Sequence, residues 1–190
     1  MLILASNSPR RRELLKIAGF EFRTVPAEAE EITPPLKPET AAVETAKAKA
    51  LEVAAKYPGD AVLAADTIVV LGNEIMGKPK DETGAFHMLR VLSGVGHTVI
   101  TGVFVIRGDV CRSFFEKTSV EFYELSDEEI KAYIRTGEPF DKAGAYGVQE
   151  KGALLVKRIE GDYFNVMGLP IAKTARVLKE FGVSAKWNNQ

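Results

Sequence analysis

The chain has 190 residues, 46% of them hydrophobic, with 25 basic and 26 acidic side chains and a net charge of −1. A chain of this size buries roughly 70% of its extended surface on folding, so one globular domain with two lobes stands without disulfides or structural metals. The balanced charge excludes a nucleic-acid binder driven by a broad basic field, and any anion site must be local. The single cysteine, Cys111, cannot form an intramolecular disulfide, and no Cys/His cluster has zinc spacing. The apolar stretch Met1 to Ala5 is far too short for a signal peptide or a membrane span. The expected setting is a reducing cytoplasm, with neither membrane nor nucleic acid as partner.

Leu2 to Ala5 reads as a short strand, followed by Ser6-Asn7-Ser8-Pro9 and a helix that begins with Arg10, Arg11 and Arg12 and stops at Gly19. Ser8 suits the N-cap, Pro9 the first helical position and Gly19 the C-terminal stop. A strand, polar turn and helix in this order point free backbone N–H groups and the positive end of the helix dipole at one spot. With the hydroxyls of Ser6 and Ser8 and the arginines beside them, that spot suits phosphate. Phe20 to Val25 alternates like a further strand. Glu28, Glu30 and Glu31 then fall in a loop closed by Thr33-Pro34-Pro35 and Pro38, where clustered carboxylates suit Mg²⁺ held together with water and substrate phosphates.

Glu39 to Lys56 repeats apolar residues at the spacing of an amphipathic helix, through Ala42, Val43, Ala46, Ala50, Val53 and Ala54. Lys47 and Lys49 flank that stripe on opposite sides. Either has the reach to meet a phosphate or a carboxylate on the sheet, and periodicity does not choose between them. Next comes AVLAADTIVVL, Ala61 to Leu71, a buried strand whose one ionisable residue is Asp66. A carboxylate there loses its water shell at a cost of several kcal/mol unless a cation, a metal or hydrogen bonds replace it. The chain turns at Gly72-Asn73 and returns to Gly77-Lys78-Pro79. This is not a phosphate-binding P-loop, because Pro79 stands where a magnesium-binding Ser or Thr belongs. Lys78 instead sits on a rigid loop beside the hairpin that carries Asp66.

Asp81 caps a helix running to Ser93-Gly94. Gly94-Val95-Gly96 fails as a dinucleotide fingerprint, since Val99 holds the third glycine position and no strand leads in. His97 to Ile106 and Val110 to Phe122 form a hairpin. His87 and His97 lack partners at metal-ligand or nucleophile spacing and read as structural. Ser126 to Glu129 is a capping box. The stretch Glu138 to Gly152 is a glycine-rich loop suited to close approach of backbone to a ligand, with Gln149 reading a base edge and Asp141 and Lys142 facing phosphate or metal. Ala153 to Ile159 and Tyr163 to Met167 are read as strands, and Pro170 opens a last helix that ends at Gly182.

Four segments together resemble the Maf family of nucleoside triphosphate pyrophosphatases: LASNSPRRRELL (Leu4 to Leu15), AADTIVV (Ala64 to Val70), GKPKD (Gly77 to Asp81) with LSGVGHTVITGV (Leu92 to Val103), and DKAGAYGVQ (Asp141 to Gln149) with NVMGLP (Asn165 to Pro170). The likeness spans nearly the whole chain, in the family's order. It implies a single domain over 1–190 with a mixed α/β fold of inosine triphosphate pyrophosphatase type, in which an elongated curved sheet with flanking helices leaves a cleft between two lobes. It also implies a homodimer and hydrolysis of a nucleoside triphosphate between its α- and β-phosphates, with a divalent cation, Mg²⁺ or Mn²⁺. By position, Asp66 matches the family's general base. Arg10, Thr67 and Gln149 match its specificity positions in the subgroup that takes dTTP and UTP. Ser6, Arg11, Lys49 and Lys78 match its phosphate contacts, and Glu31, with Asp66, its metal ligands. Whether Asp66 takes the proton from the attacking water or binds the metal that carries it is open at this level. The competing readings are a nucleotide-binding regulator of cell division without hydrolysis, a nucleic-acid binder using Arg10 to Arg12, and a hydrolase of the same fold acting on purine or modified nucleotides.

Overall fold

The computed structural model describes residues 1–29 and 37–188. The elements in chain order are β1 (Leu2–Leu4), α1 (Pro9–Ile17), β2 (Arg23–Thr24), α2 (Pro38–Ala54), β3 (Ala61–Leu71), β4 (Glu74–Met76), α3 (Glu82–Leu92), β5 (Gly96–Arg107), β6 (Val110–Phe122), α4 (Asp127–Ile134), β7 (Val156–Glu160), α5 (Tyr163–Met167) and α6 (Ile171–Glu180), with short 3₁₀ turns between α4 and β7. The strands form one seven-stranded sheet in the order β2-β1-β3-β5-β6-β7, and β4 pairs with β3. The sheet is mixed. β1 runs parallel to β2 and β3, whereas β3 with β4 and β6 with β7 are antiparallel. The fold is therefore the mixed α/β class with flanking helices that the sequence predicts.

The chain divides into two compact units. The first comprises Met1–Asp66, Thr101–Glu116 and Gly168–Gln190, and the second Thr67–Ile100 and Lys117–Met167. In the first unit, Ile3, Ala5, Val62, Ala64 and Phe104 from the strands pack against Ala46, Ala50 and Val53 of α2. Small side chains on α2 let the helix lie close to the sheet. The approach is closest at Gly102 of β5, where an added Cβ would stand 2.4 Å from the Ala42 carbonyl carbon and 2.4 Å from the Val43 nitrogen. Only a residue without a Cβ fits there.

The second unit is held by a different core. His97, Phe122 and Tyr146 meet edge to face, with ring centroids 4.7 to 5.3 Å apart, and His97 Nε2 lies 2.7 Å from the Tyr146 hydroxyl. His97 is thus a core histidine, as its lack of metal-spaced partners suggests. Burial, the main cause, lowers its pKa to about 4, so it is neutral in the folded chain.

Three elements differ from the sequence reading. Tyr163 to Met167 is the helix α5 rather than a strand, because the Asp162 carboxylate accepts the Phe164 N–H at 2.8 Å and starts a helical turn. The segment read as a strand from Ala153 begins instead as a 3₁₀ turn over Lys151–Leu155, and pairing with β6 starts only at Val156. The alternating stretch Phe20 to Val25 pairs over Arg23–Thr24 alone, with Phe20 turned into the core. In all three, a local capping bond or a buried anchor outweighs the strand pattern.

Two outcomes follow from this packing. Gly102→Ala should lower the unfolding free energy by about 3 kcal/mol, the upper end of overpacking costs, because its Cβ meets backbone that cannot rotate away. Urea unfolding measures this, and an unchanged midpoint would contradict it. For His97, whose folded pKa lies below its unfolded value, the unfolded chain binds the proton first. Its contribution is complete above pH 6.5 and is lost as pH falls from 6.5 to 4, at up to about 1.4 kcal/mol per pH unit. Wild type should therefore lose stability over that window more steeply than His97→Gln; equal slopes would remove His97 as the cause.

Candidate active site

The first unit gathers two of the predicted groupings. β3 enters through five fully buried residues, Ala61 to Ala65, before it reaches Asp66. The side chain of Asp66 is 9% exposed, and its Oδ1 accepts from Lys49 Nζ at 2.7 Å, with Lys49 16% exposed. Helix phase settles which lysine this is. Lys47 points outward and pairs with Glu44 at 3.3 Å on the helix surface, so Lys49 alone of the two meets the carboxylate. In surroundings this dry the attraction is far stronger than between exposed charges, and each ion has lost most of its hydration. Asp66 therefore stands as a carboxylate oriented by one ammonium.

The β1–α1 turn supplies the second grouping. Ser8 is the N-cap, accepting from the Arg11 N–H at 3.4 Å, and Pro9 opens the helix. Ser6 Oγ accepts from Ser8 N–H at 3.2 Å and from Arg11 Nη1 at 3.1 Å. With both lone pairs engaged, the Ser6 O–H proton is what that hydroxyl has left to donate. Arg11 is buried, and its Nε donates to the Gly168 carbonyl at 2.9 Å. Its guanidinium thus braces the turn from within as well as adding charge. Arg10 is half-buried on the same first turn, whose own sequence carries no acidic residue. The turn carries positive charge and the N-terminal end of a nine-residue helix together.

Thr67, Lys78 and Gln149 belong to the second unit. Thr67 follows Asp66 on β3 and is half-buried, and Lys78 is exposed on the loop after β4. That loop is tied to the glycine-rich stretch, since Gly144 N–H donates to the Gly77 carbonyl at 3.0 Å. Gln149 is half-buried, with its Oε1 covered and without a hydrogen-bond partner. Lys142 departs from the sequence reading. Rather than facing phosphate or metal, its ammonium is buried, 2.7 Å from the Glu138 carbonyl and 2.7 Å from Asp141 Oδ1.

For a divalent cation, Glu30 and Glu31 lie outside the described residues. Among the described residues no three His, Cys, Asp or Glu side chains gather as a metal cluster. Of the two metal ligands that the family resemblance implies, Glu31 and Asp66, Asp66 is the one among the described residues. A single carboxylate fits the way Mg²⁺ is usually held, by one or two carboxylates with substrate phosphates and water completing the shell. Among the described residues, no helix is long and apolar enough to cross a membrane. A groove of about 580 Å³ lined by Glu82, Thr83, Phe86, Lys131, Ile134 and Arg135 contains none of the predicted site residues.

The sequence reading missed the residues that hold the Gln149 stretch in shape. Tyr133 and Glu138 accept backbone N–H groups from Gly147, Lys151 and Gly152. The glycines were the available signal; Tyr133 comes from α4, and Glu138 from the start of the same stretch.

Comparisons with known proteins agree with the segments quoted above. Residues 1–181 match the family model described as Maf-like protein. A dTTP/UTP pyrophosphatase of Geobacillus sp. (strain WCH70) is 51% identical over 95% of this chain and 98% of that one. The dTTP/UTP pyrophosphatase of Aquifex aeolicus is 48% identical over 97% of both. Among solved structures, the Staphylococcus aureus Ham1 protein aligns at 17% identity with a TM-score of 0.48, covering 81% of this chain and 90% of that one. A family match over nearly the whole length, together with relatives near half identity, shows that the chain belongs to the Maf family.

Proposed function

We propose that the chain hydrolyses nucleoside triphosphates, dTTP and UTP foremost, to the monophosphate and pyrophosphate. The observation that carries the proposal is the buried Asp66 carboxylate held by Lys49 at 2.7 Å, and the names of the relatives at 51% and 48% identity support the choice of substrate. The chain acts as one Maf-like catalytic domain, in a cytoplasmic homodimer.

A nucleoside triphosphate brings about four negative charges, and phosphoryl transfer is catalysed mainly by positioning and charge neutralisation. The β1–α1 turn offers what that requires. The Ser6 hydroxyl and the guanidinium of Arg10 bind phosphate oxygens at the positive end of α1, while Arg11 fixes the turn's shape through Ser6 and Gly168. Lys49 orients Asp66 and adds positive charge beside it, and Lys78 is a further phosphate contact in this reading. Asp66 positions the attacking water and accepts its proton, or holds the divalent ion. That ion, with Asp66 and Glu31 as its protein ligands, supplies charge neutralisation on the phosphates when bound. Arg10, Thr67 and Gln149 distinguish the base.

The purified protein with Mg²⁺ or Mn²⁺ should release pyrophosphate, not orthophosphate, and from dTTP and UTP ahead of purine nucleotides. Orthophosphate release would move the cleaved bond, and nucleotide binding without turnover would favour a regulator. Asp66→Asn should lower kcat at least about 100-fold with its circular dichroism spectrum unchanged, since a positioned base contributes two to four orders of magnitude. A variant near wild-type rate would take Asp66 out of the mechanism. Removal of divalent ions by EDTA should abolish turnover, with recovery on adding Mg²⁺ or Mn²⁺; full activity in EDTA would exclude the ion's part.

A further inference from the structure

Lys142 is buried in the second unit, where its ammonium donates to the Glu138 carbonyl and to Asp141, each at 2.7 Å. Its stem crosses directly over Gly147. A Cβ on Gly147 would lie 2.8 Å from Lys142 Cε and 3.1 Å from Cδ, with Gln149 Oε1 at 3.6 Å from the same point. The backbone on either side of Gln149 is clamped as well. Tyr133 Oη accepts the Gly147 N–H at 3.2 Å, and the two oxygens of Glu138 accept the N–H groups of Lys151 and Gly152 at 3.2 Å each. Burial raises the Tyr133 pKa above its ordinary value, so its hydroxyl stays protonated. Between these clamps Glu150, a non-glycine residue, adopts a φ of +87°. Such a conformation persists only where its surroundings over-determine it. The lysine, the tyrosine and the glutamate together supply that determination, and Lys142 joins them, because its ammonium binds the Glu138 carbonyl while the adjoining Cε and Cδ cover Gly147.

We propose that Lys142 is a positioning residue for Gln149, holding its amide in place and thereby setting the preference for thymine and uracil nucleotides. The proposal rests on the reading of Gln149 as a base contact.

A double-mutant cycle tests it. Lys142→Met keeps the stem and removes the ammonium, and Gln149→Ala removes the amide. The readout is kcat/KM for UTP relative to ATP. Lys142→Met should lower that ratio by about tenfold, the middle of the range for residues sharing one network, chiefly through KM for UTP. In the Gln149→Ala background it should change the ratio no further. An unchanged ratio, or an equal loss in both backgrounds, would overturn the proposal, since a merely structural lysine acts additively. If Lys142→Met does not fold, Tyr133→Phe, which removes the hydroxyl that accepts the Gly147 N–H and meets Glu138, tests the same clamp with the same outcomes. Wild type that releases no pyrophosphate from UTP would overturn the function itself and this inference with it, whereas a UTP preference that Gln149→Ala lowers and Lys142→Met leaves untouched would overturn the inference alone.

Discussion

The buried ion pair between Lys49 and Asp66 is the constraint on which the first unit depends. A carboxylate 9% exposed at the end of five buried strand residues is stable only with its cation in place, and breaking such a pair from one side costs about 3–5 kcal/mol. The cation reaches it because α2 lies close to the sheet, and α2 lies close because its buried residues are small, most of them alanines, and because Gly102 carries no side chain. Core packing and site geometry are thus one arrangement. A larger residue at Ala46 or Gly102 would move the helix and with it the ammonium.

The β1–α1 turn solves a related problem at the other charged centre. Three successive arginines at the start of a helix oppose the helix dipole. Arg11 escapes this by turning inward to Ser6 and the Gly168 carbonyl, where its charge is hydrogen-bonded to neutral acceptors. The guanidinium becomes a structural brace, and the turn keeps the net positive character suited to a polyanion. Remote backbone at Gly168, just before α6, is thereby recruited to shape a turn near the N-terminus.

Much of this was legible in the sequence. The bounds of β3 and β6 coincide with those read from the apolar runs, and the caps at Ser8, Asp81 and Ser126 act as their residue types suggest, because strands and caps depend on local chemistry. The choice of Lys49 over Lys47 required the helix phase against the sheet, which periodicity alone leaves open. α5 was missed because apolar Tyr163 to Met167 looks like a strand until Asp162 is seen to cap it. The inward turn of Lys142 was illegible for the same kind of reason: its partners are a carbonyl four residues back and a glycine five residues on, brought together only by the fold of the loop.

The proposed hydrolysis requires the polyphosphate to be held where the Ser6 turn and the Lys49–Asp66 pair lie. The most direct measurement is a crystal structure of the Asp66→Asn variant with UTP and Mg²⁺. Phosphate oxygens should lie within hydrogen-bond reach of the Ser6 hydroxyl, the Arg10 guanidinium and the Lys49 ammonium. A nucleotide lodged instead in the groove beside Phe86 and Lys131, with the Ser6 turn uncontacted, would contradict it.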